Sequence, residues 1–163
     1  MGYTHYHTRN TQNVGSAEMF GRLALDTKAI IAQAQKQGIV IRGYDGNGKP
    51  EYNEAYFRFN GDATKDYDHE TFLWEALPKQ PDWQREFYAA EGKNPHQIFD
   101  FCKTAYKPYD AVVCAVLIRA KVIYGDLVDV RSDGDWHEWQ KGRELYERVF
   151  GEVAECPFGK VDA

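Results

Sequence analysis

Phe101-Cys102-Lys103-Thr104-Ala105-Tyr106-Lys107-Pro108-Tyr109-Asp110 runs directly into an apolar segment, Ala111 to Ile123. Apolar residues fill nearly every position of that segment, so it reads as a helix buried on all sides. Pro108 suits the first turn of such a helix, where its missing N–H is no loss. The polar run therefore sits at the positive end of the helix dipole, a place that favours anions, phosphate above all. Lys103, Thr104, Tyr106, Lys107 and Asp110 are the candidate binding residues there.

Working outward, Gly2 to Thr8 alternates Tyr3, His5 and His7 with Thr4, Tyr6 and Thr8, the period of a first strand. Ser16 is placed to cap a helix whose apolar residues, Met19 to Ala34, recur at helical spacing up to Gly38. Short strands are expected at Ile39 to Arg42, Ala55 to Asn60, Glu70 to Leu77, Ile98 to Cys102 and Leu127 to Arg131. Asp45-Gly46-Asn47-Gly48 marks a turn. Pro78 to Pro95 reads as the least ordered stretch, one short helix in a mobile flap. Asp133 or Asp135 is expected to cap a last helix carrying Trp139, Tyr146, Val149 and Phe150. From Glu152 to Ala163 a loose C-terminal tail is expected. The order predicts a single α+β domain over residues 1–163, with a mainly antiparallel sheet and about three packed helices.

Composition narrows the function classes. The 163 residues carry a net charge of −5 with no basic stripe, which argues against broad nucleic-acid binding. The longest apolar run is too short to span a bilayer and is broken by Arg119 and Lys121. Met1 to Asn10 lacks the apolar stretch of a secretory leader, and Cys102, Cys114 and Cys156 form no C-x-x-C pair. Free thiols and a cytoplasmic setting are the expectation, with no membrane partner. Aromatic residues make up 15% of the chain, which suits stacking surfaces and a tyrosine-rich core rim alike.

Further polar clusters fall at predicted element ends, where binding residues collect. Tyr3, His5 and His7 share a strand face; two histidines at i and i+2 can share a metal or a phosphate, but no third ligand follows from spacing. Asn60, Asp62 and His69 lie in an acidic loop whose spacing is not that of an EF-hand. Asp62 can accept hydrogen bonds from sugar hydroxyls. Asp133 and Trp136 lie in Ser132-Asp133-Gly134-Asp135-Trp136, as a helix cap or as a ribose acceptor beside a base-stacking ring. The glycines of a P-loop are absent from the lysine run, which excludes ATP hydrolysis by that route. A cysteine nucleophile at Cys102 has no histidine partner in the sequence. No cofactor and no metal is called for.

Met1-Gly2-Tyr3-Thr4-His5-Tyr6, Phe59-Asn60-Gly61-Asp62 with His69-Glu70-Thr71-Phe72, the Phe101-to-Asp110 run and Ser132-to-Trp136 together resemble a family of small uncharacterised phage and bacterial proteins. The resemblance covers most of the chain, least over 78–95. It implies an origin and no mechanism. Relatives carry a bulky aromatic at the position of His7, which weakens a metal role for that residue.

A phage origin points, by analogy of role, to a protein that sequesters a nucleotide immune signal in the host cytoplasm. The favoured reading is therefore a binding protein for a nucleotide-like molecule, ADP-ribose-like or a cyclic nucleotide. Lys103, Thr104 and Lys107 would hold phosphate, Tyr3, Tyr106 or Trp136 would stack on the base, and Asp62 or Asp133 would bind ribose. One alternative is a phosphoester or glycoside hydrolase using His5, His7, His69, Asp62 and Glu70 as acid–base groups. Another is an interaction protein that inhibits a host enzyme. A homo-oligomer completing the pocket is compatible with each.

Overall fold

The computed structural model describes residues 2–159. They form an α+β domain of four α-helices and two small antiparallel sheets. The first sheet has the order β5-β1-β6, from Gln97–Lys103, Thr4–Asn10 and Asp129–Ser132. The second has the order β2-β3-β4, from Glu51–Tyr52, Tyr56–Phe59 and Phe72–Glu75.

Apolar character places the third helix, α3 (Asp110–Tyr124), at the centre. Every residue from Ala111 to Ile118 is buried. The first helix, α1 (Ala17–Lys36), and the last, α4 (Gln140–Phe150), pack against it. In α1 the buried residues Phe20, Leu23, Thr27, Ile30, Ile31 and Ala34 recur every three or four positions, the stripe a core-facing helix needs. Ser16 Oγ accepts the Met19 amide at 3.1 Å, closing the first turn. At the other end Gly38, at φ +88°, lets the Ile39 amide reach back to the Ala34 carbonyl at 3.0 Å, a Schellman closure.

β1 is the strand that positions the site. Tyr3, His5, His7 and Arg9 face the core, and the register sets Cys102, Asp100 and Ile98 of β5 opposite the last three. Across β1's other edge, Ser132 of β6 lies opposite His5.

Three expectations are corrected. Ile39 to Arg42 forms no strand, only an isolated bridge between Arg42 and Asn60. The chain turns at Gly43, where a Cβ would come within 2.2 Å of the Lys49 carbonyl oxygen, and the turn ends the pairing. Pairing resumes at β2, where Asn53 Oδ1 accepts the Ala55 and Tyr56 amides at 2.8 and 2.9 Å and so sets a tight hairpin into β3. The short helix expected within 78–95 is α2, Asp82–Ala90, which follows Pro81. α4 starts at Gln140, where no side chain caps it; Asp135 caps the turn before it instead, its Oδ1 accepting the Glu138 amide at 2.9 Å. Residues 152–159 do not lie loose: Ala154 is buried, and Phe158 bridges Val130 while its ring meets Trp139 edge-on at 4.9 Å. The rest of the expected tail, 160–163, lies outside the described residues. Among the described residues no helix is long and apolar enough to cross a membrane.

Candidate functional site

Behind the start of α3 lies a buried polar network. The His5 ring reaches Asp110 through Nε2 at 2.6 Å and Ser132 Oγ through Nδ1 at 2.8 Å. Ser132 Oγ also accepts the Trp139 indole N–H at 3.1 Å and the Gly134 amide at 2.9 Å. A hydroxyl oxygen has two lone pairs, and these two donors use both. Its own hydrogen must therefore go to His5 Nδ1, which leaves Nε2 protonated and donating to Asp110. The tautomer follows from counting.

Asp110 collects the rest. Thr104 donates its hydroxyl to Oδ1, and the Cys114 thiol, one turn along α3, donates to Oδ2 at 3.6 Å. Burial, followed by the negative charge of Asp110, pushes the Cys114 thiol well above its ordinary range. The anion position at the head of α3 is thus filled by the protein's own carboxylate. His5, Asp110 and Cys114 place three donor atoms within 4.8 Å of one another, a nitrogen–oxygen–sulfur set that suits zinc by ligand type. The proton on Nε2, however, occupies the lone pair a cation needs. His5 and His7 do not converge: His7 stacks on Trp74 at 4.7 Å, away from Asp110.

Most of the other residues singled out from the sequence are spent on architecture. Asn60 is fully buried and bonds on all sides: its amide donates to His69 O and Thr71 Oγ1, and its oxygen accepts the Gly61 and His69 amides. It pins the loop it begins. Asp62 accepts the Thr64 hydroxyl and amide at 2.7 and 3.1 Å and lies 3.5 Å from the Arg42 guanidinium, contacts that hold its carboxyl below the usual range. The His69 side chain is exposed. The Lys103 side chain lies over Gly2, where a Cβ would meet its Cε at 2.6 Å. Thr104 is buried in the network just described. Asp133 accepts the Thr4 amide and the Tyr6 hydroxyl, tying β6 to β1. The Trp136 ring leans on Phe158 and carries the Arg143 guanidinium at 4.5 Å.

Tyr106, Lys107 and Asp110 do come together, in a cleft of about 430 Å³ between the starts of α3 and α4. Ala105 and Tyr106 both hold left-handed backbone, at φ 51° and 60°, a costly geometry for side chains with a Cβ. Two contacts hold it there. The Tyr106 ring stacks on Tyr3 at 3.9 Å, and its hydroxyl donates to Glu138 at 3.3 Å. Tyr3 is itself immobilised, its ring buried and its hydroxyl pressed against Gly134 without a hydrogen-bond partner. Burial pushes the Tyr3 phenol far above its ordinary pKa, so it stays neutral. Lys107 donates to the Asp66 carbonyl at 2.7 Å.

The start of α4 and the turn before it supply what the sequence reading missed: Glu138, Gln140 and Lys141 line the opposite wall. The first turn of α4 has neither an acidic residue nor a capping side chain; the turn before it is closed by Asp135, whose Oδ1 accepts the Glu138 amide at 2.9 Å. Lys141 is exposed and has no ion-pair partner among the described residues. Its presence there depends on where α4 begins, and the aspartates upstream pointed to an earlier start.

Fold and cleft together define an α+β domain with a polar, aromatic-walled recess at two helix starts. Compared with known proteins, the chain matches no family model, no curated protein and no solved structure.

Proposed function

We propose that this protein binds a small anionic, nucleotide-like molecule in the cleft between α3 and α4, without turning it over. One observation carries the reading: the uncapped start of α4 opens beside Lys107 and Lys141 in a cleft walled by Tyr106. The first-turn N–H groups of α4 beyond Gln140, whose own amide bonds the His137 carbonyl, suit phosphate together with Lys141 and with Lys107, which also holds Asp66. Tyr106, backed by Tyr3 on one face, offers the other to a base. Glu138 and Asp110 are acceptors for ribose hydroxyls. Relative to the sequence expectation, phosphate moves from Lys103 and Thr104 to Lys107 and Lys141.

Binding without chemistry is favoured by Ser132. A Ser–His–Asp chain has the connectivity of a hydrolytic relay, but Ser132 Oγ already accepts two hydrogen bonds and has no lone pair left for attack. On the phage resemblance, the ligand class is a host-defence signal, ADP-ribose-like or a cyclic nucleotide.

The test is chromatography of a panel of such nucleotides after incubation with substoichiometric protein, before and after heat release. Sequestration predicts loss of one compound and its unchanged return on denaturation. The Lys107→Ala/Lys141→Ala double variant is expected to bind at least about tenfold more weakly while keeping its fold. Conversion of more molecules than protein present would establish an enzyme instead. Undiminished binding by the folded double variant would remove the cleft from consideration.

A further inference from the structure

A groove runs along the outer side of α1, with residues from 40–42 and 48–54 as its opposite wall. Two recesses of about 630 and 610 Å³ make it up. They meet at Lys28, whose ammonium lies over the Tyr52 ring at 4.8 Å. α1 contributes Lys28, Ile31, Ala32 and Gln35 to one recess, the spacing of a single helix face. The turn closed by the Gly43 amide on the Asn47 carbonyl, at 3.0 Å, returns the chain so that Lys49 joins Arg42 there.

The two halves differ in character. Toward the end of α1 the lining holds three cations, Lys28, Arg42 and Lys49, and no carboxylate, in a chain whose net charge is −5. By contrast, the cleft between α3 and α4 sets Asp110 and Glu138 among its lysines. Lys28 and Lys49 are exposed and enter no ion pair among the described residues. Arg42 lies 3.5 Å from Asp62, a carboxylate already held by the Thr64 hydroxyl and amide. Toward the start of α1 the lining is mainly apolar, with Phe20, Ala24 and a largely exposed Leu25, and Glu54 at its edge. Gly21 sits within this half in ordinary helical backbone, and a Cβ there would meet no atom within 4 Å. Glycine weakens a helix interior, and the chain's own packing gives nothing in return at this position. A second backbone drawn close to α1 would.

We propose that this groove docks an acidic amphipathic segment of a partner protein. Its apolar residues lie over Gly21, Ala24 and Leu25, and its carboxylates face Lys28, Arg42 and Lys49. Charge complementarity fixes the sign of the partner, and the apolar half fixes the direction in which it lies. Length argues for a chain segment over a small anion, since α1 rises about 27 Å from Ala17 to Gln35. The site is separate from the cleft between α3 and α4 and does not depend on what that cleft binds.

Anisotropy and amide-NMR titrations with a synthetic helix-forming peptide test this, its leucines on one face toward one end and its glutamates toward the other. A twin with lysine at every glutamate is the control. The glutamate peptide is expected to bind saturably below about 100 μM at low salt, and more weakly as salt screens the exposed charges. The lysine twin is expected not to bind. Lys28→Glu/Lys49→Glu should weaken binding at least about tenfold at unchanged Tm, since both side chains are exposed. Gly21→Leu should weaken it as well while raising Tm, because leucine is the better helix former. No saturable binding, equal binding of the lysine twin, or undiminished binding by either folded variant would each overturn the assignment. So would preference for anionic lipid vesicles over the peptide. A concentration-dependent dimer that protects the same amides would overturn it too, giving the groove to a second copy of this chain.

Discussion

His5 Nε2 donates to Asp110 Oδ1 across 2.6 Å, joining the central strand of one sheet to the first residue of the core helix. The His5 side chain is fully buried and that of Asp110 is 16% exposed, so water replaces little of what this contact provides. Removing the carboxylate orphans the His5 ring N–H and the Thr104 hydroxyl together.

Asp110→Ala is therefore expected to cost about 3 kcal/mol, from two buried donors left without an acceptor. Asp110→Asn keeps one oxygen in place and should cost roughly half that. Urea unfolding of both variants decides it. Negligible losses in both would mean the network does not hold α3 to β1.

The seam between α3 and α4 depends on Gly142. A Cβ there would lie 2.4 Å from Cys114 Cβ and 3.1 Å from the Ala111 carbonyl oxygen, so the helices would have to part. Gly142→Ala is expected to destabilise by about 1–3 kcal/mol, although alanine is the better helix former. A raised Tm would show that α4 can slide away freely. The same shift would widen the proposed cleft, so weaker nucleotide binding should accompany it.

Legibility followed locality. α1 was readable because its stripe, the Ser16 cap and Gly38 all lie within one stretch. α3 announced itself by composition, and β1 by alternation. Ile39 to Arg42 misled because β-branched residues favour a strand only where a partner runs alongside, and the turn at Gly43 removes it. The His5–Ser132 contact spans 127 positions, and no spacing rule reaches that far. Tyr106, Lys107 and Asp110 line one cleft because the start of α3 concentrates them, a clustering the sequence already displays. Lys141 is not legible in this way, since placing it in the cleft needs the true start of α4.

The three cysteines should report the same packing. Cys102 and Cys114 are buried and Cys156 is exposed. Burial first, then nearby carboxylates, pushes both buried thiols far above their ordinary pKa, so neither forms a reactive thiolate. A thiol-reactive dye at pH 8 should label Cys156 alone in the native protein and all three in denaturant. Fast native labelling of Cys114 would contradict the closed network at His5.

His7 and Asp100 should leave a signature in the pH dependence of stability. Asp100 is raised from 3.8 to about 6, by burial chiefly and also by Glu75 and Glu70, against the opposing pull of Arg9 and the Phe101 amide. A raised carboxyl contributes stability that is full below 3.8 and lost as pH rises through 6. His7 is lowered from 6.5 to about 3, by burial and then Arg9. Its contribution is full above 6.5 and lost as pH falls toward 3. Between about pH 4 and 6 the folded pair holds its proton on Asp100 and the unfolded pair holds it on His7. The two slopes cancel there. Asp100→Asn removes one of them, so the variant should lose stability on acidification from 6.5 to 4.5 relative to the native protein. One proton sets a ceiling of about 1.4 kcal/mol per pH unit. The Asp100 side chain is 45% exposed, so solvent screening keeps the observed difference below that ceiling. Urea midpoints at pH 6.5, 5.5 and 4.5 for both proteins measure it, because every other group cancels in the comparison. Parallel curves would mean that folding leaves the proton affinity of Asp100 unchanged, so that its carboxylate stays ionised in the folded state across this range.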